Sequence, residues 1–354
     1  MLLFDPESSY LKWCRMNKGK IEEGKCILGK NCMDAVSEKL GDIKDVRKIG
    51  YILYHGGEEI KSPVSRLTEK NIFDFEKCIK YNPELNDITF KTAKYWMKRI
   101  PEAKHFLFCD TAFFLKLPQE ACTYAIPYEL SRKGVKRYGG YGLLHQWVYK
   151  KTELLNKCGI HRLISVYLGN NTNIAAIRNN RPLDTSIGFT PTEGIMSSGG
   201  CGDIDPTIIF NLNSAGLAFN EINKLLSQES GFSAFLGKNA NFFDVIKNKD
   251  KGPAADVKEV FSYSIIKYIG AFSAELGGVD SIVFSSENLW AAGSFILEII
   301  NKLQFLGVKC KLKKGGQKDF FKISEPNSKI KVYCFNYKKW NILNQNFLKK
   351  EKIK

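Results

Sequence analysis

Two stretches of this chain share one layout, and that layout constrains the fold more than any single motif. Residues 2–16, LLFDPESSYLKWCRM, read as an apolar strand, the turn Asp5-Pro6-Glu7-Ser8-Ser9, and an alternating strand through Tyr10, Leu11 and Trp13. Residues 160–168 form a second apolar run, followed by the polar turn Gly169-Asn170-Asn171-Thr172-Asn173 and a strand over 174–178. A hairpin opening that occurs twice predicts a duplicated architecture. Strands expected over 49–54, 105–109 and 281–284 alternate with helices expected over 91–100 and 257–277, the pattern of an α/β chain.

Several positions within that pattern carry chemistry. The strand over 49–54 runs into His55-Gly56-Gly57-Glu58, where paired glycines permit a tight turn or close approach of a ligand. Asp110 follows the strand over 105–109, and in open α/β sheets ligands bind at the carboxyl ends of strands. Gly199-Gly200-Cys201-Gly202-Asp203 is a glycine-rich loop, and Asp205-Pro206 supplies a cap and first turn for a helix over 207–212.

A chain of 354 residues predicts about two domains. With 44% hydrophobic and 25% charged residues it can bury a sizeable core and is not expected to be disordered or fibrous. No run reaches the length of a membrane span, and Asp5 and Glu7 interrupt any signal-peptide core at the N-terminus. Neither export nor membrane insertion is therefore expected. The ten cysteines are scattered without a C-x-x-C pair, which argues against a zinc site or a disulfide framework and fits a reducing cytoplasm. The formal charge is +16, and residues 302–354, with 15 lysines against 3 acidic residues, supply +12 of it. Lacking a zinc, RNP or helix-turn-helix signature, this Lys-rich end reads as a solvated face rather than a nucleic-acid surface.

An ordered set of strings then points to one family. HGGE (55–58), DTAF (110–113), YAIPYEL (124–130), RYGGYGLLH (137–145), LGN (168–170), DTSIGFTPTEGIM (184–196), GDIDP (202–206) and KYIGAFSAELGGVDSIVF (267–284) together make the chain resemble the acetate kinase family. The resemblance implies two actin-like ATPase domains of the acetate and sugar kinase superfamily flanking a cleft. The N-terminal domain would span 1–112, completed by about 336–354, and the C-terminal domain 113–335. It also implies a homodimer and attack of a small carboxylate on the γ-phosphate of Mg-ATP. Such a reaction needs positioned donors for the transferring phosphoryl, Mg2+ bridging phosphates and a small apolar slot for the acyl tail.

Carried over residue by residue, the resemblance assigns roles and exposes losses. The family's phosphate loop, Asn-x-Gly-Ser-Ser-Ser, stands here as Asp5-Pro6-Glu7-Ser8-Ser9-Tyr10; Ser8 and Ser9 remain as nucleotide-side donors, while Pro6 removes an N–H and Glu7 adds an anion. The arginine before HGGE is replaced by Ile52, which has no guanidinium fork. Asp110 is kept, as a catalytic and metal-holding carboxylate or as a strand-end cap. Tyr141 stands where the family has a catalytic histidine and can donate a hydrogen bond but no positive charge. His145 remains, as a nucleotide-side group or a structural histidine. Leu53, Gly140 and Pro191 are assigned to the acyl pocket, which Gly140 widens by replacing a phenylalanine. A second family arginine has no counterpart within Ser197-Ser198-Gly199-Gly200-Cys201, and the family's metal-binding glutamate near the C-terminus meets Asn336-Tyr337-Lys338-Lys339-Trp340. On the nucleotide side Asn170, Phe242 and Asn288 are retained, the two asparagines being equally readable as turn residues.

Two functions follow. One is an ATP-dependent kinase of a short-chain carboxylate, turning acetate into acetyl phosphate, with a larger acid as a variant suggested by Gly140. The other is a catalytically degenerate family member acting as a nucleotide-binding, regulatory or scaffold protein. Loss of a single oxyanion-type donor costs about 10²- to 10³-fold in rate, so losing two arginines, a histidine and a glutamate weighs against efficient transfer.

Overall fold

The computed structural model describes residues 1–17, 20–43, 45–155, 162–247, 252–311 and 319–351, with side chains up to residue 345 in the last segment. The chain divides into two compact units. One comprises Met1–Leu115, Gly140–Leu144 and Lys339–Lys354, the other Lys116–Gly139 and His145–Lys338. The sequence reading places the first boundary near 112 and the C-terminal return near 336; Gly140–Leu144, which it leaves in the second domain, groups with the first unit.

The first unit holds a six-stranded sheet of β1 (Leu2–Pro6), β2 (Tyr10–Asn17), β3 (Lys20–Ile27), β4 (Lys48–Leu53), β5 (Val64–Leu67) and β6 (Lys104–Cys109), in the order β3-β2-β1-β4-β6-β5. β1 lies antiparallel to β2 and parallel to β4, and β4 is parallel to β6. Flanked on both sides, β1 is buried along its whole length, which is why it opens on the apolar run Leu2-Leu3-Phe4, and Asp5 is buried with it. The helix Pro83–Arg99 covers this sheet, with Trp96 stacked on Phe4 at 5.1 Å. It begins eight residues before the expected start at 91. Asn82 accepts from the Leu85 N–H at 3.2 Å ahead of Pro83, a regular N-terminus. Its first turns hide their periodicity because Asn86 and Thr89 face inward, donating to the His55 carbonyl at 2.7 Å and the Ile52 carbonyl at 2.8 Å.

The second unit holds β7 (Arg162–Tyr167), β8 (Asn173–Arg178), β9 (Arg181–Thr185), β10 (Ser281–Ser286), β11 (Phe320–Lys322) and β12 (Lys331–Asn336), in the order β11-β12-β10-β7-β8-β9. Numbered within each unit, both sheets read 3-2-1-4-6-5, so the duplication expected from the two hairpins is a duplication of whole sheets. Residues 160 and 161 of the strand expected over 160–168 lie outside the described residues. The expected helix over 257–277 is Pro253–Glu275, whose Phe261, Ile265, Ile269 and Phe272 enter the core formed with β7, β8 and β10. The helix expected over 207–212 runs Thr207–Ser214, with the Asp205 carboxylate accepting from the Thr207 N–H at 2.8 Å. Helices Gly142–Leu155 and Leu289–Lys302 complete the elements that bear on the site. Among the described residues no helix is long and apolar enough to cross a membrane, and the described cysteines are unpaired.

Candidate functional site

The carboxyl ends of β1 and β6 each present a carboxylate, with the end of β4 between them. Asp5, on β1, is 1% exposed. Tyr54, one residue past β4, donates its hydroxyl to Asp5 Oδ1 at 2.7 Å. Lys339, the first residue of the helix Lys339–Glu351, donates to Asp5 Oδ2 at 2.5 Å and to the Tyr54 hydroxyl at 3.0 Å. The ammonium also lies 5.2 Å from the centroid of the Tyr54 ring, so one cation is held by a carboxylate, a hydroxyl and a π face. Burial raises the Tyr54 pKa well above that of a free phenol, and the Asp5 charge adds to the rise, which keeps this hydroxyl a donor.

Asp110 follows β6, and its backbone N–H donates to the Leu53 carbonyl at 2.9 Å. Its carboxylate accepts from the Tyr141 N–H at 3.1 Å and the Leu143 N–H at 3.3 Å, while its carbonyl accepts from the Gly142 N–H at 2.9 Å. It therefore caps the start of Gly142–Leu155, where free amides and the helix dipole favour an anion. Gly142 is required by that contact, since a Cβ would lie 2.3 Å from the Asp110 carbonyl oxygen. Tyr141 takes φ +56°, a left-handed conformation uncommon outside glycine. Desolvation pushes the Asp110 carboxyl up to about 6, against the pull of Lys339 and the two amides.

The other residues assigned to this unit fall in less reactive places. Ile52 is enclosed in an apolar cluster with Leu3, Val64, Phe108 and Leu143. Leu53, assigned to the acyl pocket, is enclosed in the core under the helix Pro83–Arg99, and the next side chain, Tyr54, is the one at the sheet end. Gly140 is buried, whereas Ser8 and Ser9 are exposed at the tip of the first hairpin. Across that tip Glu7 and Lys12 pair at 2.5 Å.

In the second unit His145 is fully enclosed. Its Nδ1 faces the Ser165 hydroxyl at 2.8 Å and its Nε2 faces Asn173 Oδ1 at 3.0 Å, an arrangement met by a neutral ring protonated on Nε2. Burial pushes this histidine down to about 3. Asn170 and Phe242 are brought together: Asn170 Oδ1 accepts from the Phe242 N–H at 2.9 Å, and the Phe242 ring packs against Phe261 and Phe295. Asn288 caps Leu289–Lys302 through the Ala291 N–H at 3.2 Å, and Pro191 is exposed on the loop after β9. That loop is held by Arg137, which donates to the Thr185 carbonyl at 3.0 Å, the Ala121 carbonyl at 3.2 Å and Glu193 at 2.9 Å. Tyr124 donates to the other oxygen of Glu193 and accepts from the Phe189 N–H at 2.7 Å. Gly194, at φ +103°, leaves no room for a Cβ, which would lie 2.1 Å from the Ser186 carbonyl oxygen. Much of the DTSIGFTPTEGIM string thus has a structural use.

Sequence reasoning missed Tyr54 and Lys339 as members of the sheet-end cluster. The signal was present in two departures from the family pattern, Asp5 for an asparagine and Lys339 in the segment where a glutamate is expected, which are of opposite sign. Among the described residues no group of three or more His, Cys, Asp or Glu side chains is arranged to hold a metal ion. The Lys339 ammonium stands beside the two carboxylates that would have to serve, so Mg2+ does not fit the residues present.

Two sheets of the same strand order, with polar groups at the carboxyl ends of their central strands, define the two-domain actin-like ATPase class that contains the acetate and sugar kinases. Within that class the chain belongs to the acetate kinase family: the profile of the acetokinase family matches residues 21–341. Acetate kinase of Thermosipho melanesiensis is 37% identical over 315 residues, covering 83% of this chain and 75% of that protein. The crystal structure of Porphyromonas gingivalis acetate kinase superposes with a TM-score of 0.86 at 27% identity, covering 98% of each chain. That of Entamoeba histolytica acetate kinase also gives 0.86, at 22% identity, a likeness of fold.

Proposed function

We propose that this member of the acetate kinase family has kept the fold and given up efficient phosphoryl transfer, and that it acts as a nucleotide-binding or regulatory protein of the cytoplasm. The observation that carries this reading is the Asp5–Tyr54–Lys339 cluster, in which the protein's own ion pair fills the end of the first sheet. Ile52, Tyr141 and the arginine-free stretch 197–201 remove the positive charge that the transferring phosphoryl would need. Asn170 and Asn288 of the second unit are proposed to meet ADP or ATP, with Phe242 held by Asn170 and His145 enclosed as a packing group; Ser8 and Ser9 of the first unit are proposed separately as phosphate donors. A homodimer is part of the proposal, with Phe210 and Phe219, both 64% exposed, as candidate contacts.

A second reading, an acetate kinase in the full sense, is favoured by one feature. Asp110 is kept and oriented by two amides, and the Lys339 ammonium nearby offers a cation for an anionic substrate. Calorimetric titration with Mg-ADP and Mg-ATP, run beside a hydroxamate assay for acetyl phosphate, separates the two. Nucleotide binding without acetyl phosphate is expected; acetyl phosphate formation would establish the kinase, with propionate and longer acids tested next.

A further inference from the structure

We infer that the ammonium of Lys339 is a resident cation: it occupies the position that a divalent metal would need between the ends of β1 and β6, and it completes this end of the sheet without metal. Two carboxylates stand at this end of the sheet, one answered by a cation and the other by hydrogen-bond donors. Asp5 is answered by Lys339 at 2.5 Å and by the Tyr54 hydroxyl, and Asp110 by the amides of Tyr141 and Leu143. An arriving divalent ion would have to stand next to a cation whose side chain is only 28% exposed, where water screens the repulsion poorly. The alternative, swinging Lys339 out, leaves Asp5 buried with an unpaired charge, a strongly unfavourable state. The same contact joins two residues 334 positions apart in the chain, so it also fastens the C-terminal helix to the first strand.

The inference concerns the ion at this site and stands whether or not phosphate is transferred. The full chain, free of nucleotide, is titrated with Mn2+ while free Mn2+ is followed by electron paramagnetic resonance and thermal unfolding is recorded in Mn2+ and in EDTA. The natural chain is expected to take up no Mn2+ and to unfold at the same temperature in both. Lys339→Glu is expected to unfold lower in EDTA, to bind Mn2+, and to regain about 2 °C or more when Mn2+ is present; adding Asp5→Asn should abolish that uptake. Uptake of Mn2+ by the natural chain that Asp110→Asn removes would overturn the inference, as would a folded Lys339→Glu chain indifferent to Mn2+. Should Lys339→Glu fail to fold, Lys339→Gln replaces it: it should unfold below the natural chain in EDTA, and unfolding at the natural temperature would refute a cation's role for Lys339. Acetyl phosphate formation would sink the proposed loss of transfer without touching this inference, and Mn2+ uptake would sink this inference without creating turnover.

Discussion

The two sheets have one strand order and two ways of securing their first hairpin. In the second unit the turn between β7 and β8 is stitched by neutral bonds: Thr172 donates to the Gly169 carbonyl at 3.1 Å, and Asn170 accepts from Ser198 through its backbone and from Phe242 through its side chain. In the first unit the corresponding hairpin carries Asp5 near the end of β1 and Glu7 in the turn, answered by Lys339 and Lys12. The same strand order therefore has its first hairpin tied down by neutral hydrogen bonds in one unit and by ion pairs in the other. The charged solution depends on every partner being present, because a buried carboxylate without its cation is worse than no carboxylate at all.

This contrast predicts an order of sensitivities. Asp5→Ala should cost most, about 3 kcal/mol in urea unfolding, since it strands the Lys339 ammonium and the Tyr54 hydroxyl at a closed sheet end. A loss under 1 kcal/mol would show that the pair is surface-like and that the two units do not differ. Arg137→Met tests a charged network of the second unit, where Glu193 loses its ion-pair partner and two carbonyls lose a donor. About 2 kcal/mol is expected, with Pro191 and its loop becoming more susceptible to limited proteolysis.

His145 gives the second unit a pH dependence that comes from burial of a neutral ring. Folded, it stays neutral down to about 3; unfolded, it takes a proton below about 6.5. The unfolded state thus binds more protons between those values, so stability is full above pH 6.5 and falls as the pH is lowered towards 3. A decline of about 1 to 2 kcal/mol between pH 7 and pH 5 is expected, and His145→Gln should flatten it; an unchanged profile in that variant would assign the decline elsewhere. The smallest effect is reserved for the helix starts. Asn288→Ala and Asn82→Ala should each cost about 1 kcal/mol, equally in both units, because capping depends on local geometry that the two sheets share.

The sequence alone determined the two hairpin openings, the α/β alternation and the family, since buried central strands and turn residues write their environment directly into residue type. It also displayed the departures at Ile52, Tyr141 and residues 197–201, each legible as a change of charge or hydrogen-bonding capacity. The outer strands β3, β5, β9 and β11 escaped it, and so did the interior strand β12. An edge strand faces water and tolerates Glu22, Glu23 and Lys25 in β3, or Pro182 in β9, so its period is faint. The helix beginning at Pro83 escaped for the opposite reason, because polar Asn86 and Thr89 serve inward-facing backbone carbonyls.

Only the tertiary structure decided what Asp5, Tyr54 and Lys339 do. Asp5 and Lys339 stand out singly as departures from the family pattern, but no local pattern links residues that stand 334 positions apart. The sheet order puts β1 beside β4, the helix beginning at Lys339 returns to the same unit, and the cost of an unpaired buried carboxylate then makes Asp5 and Lys339 partners.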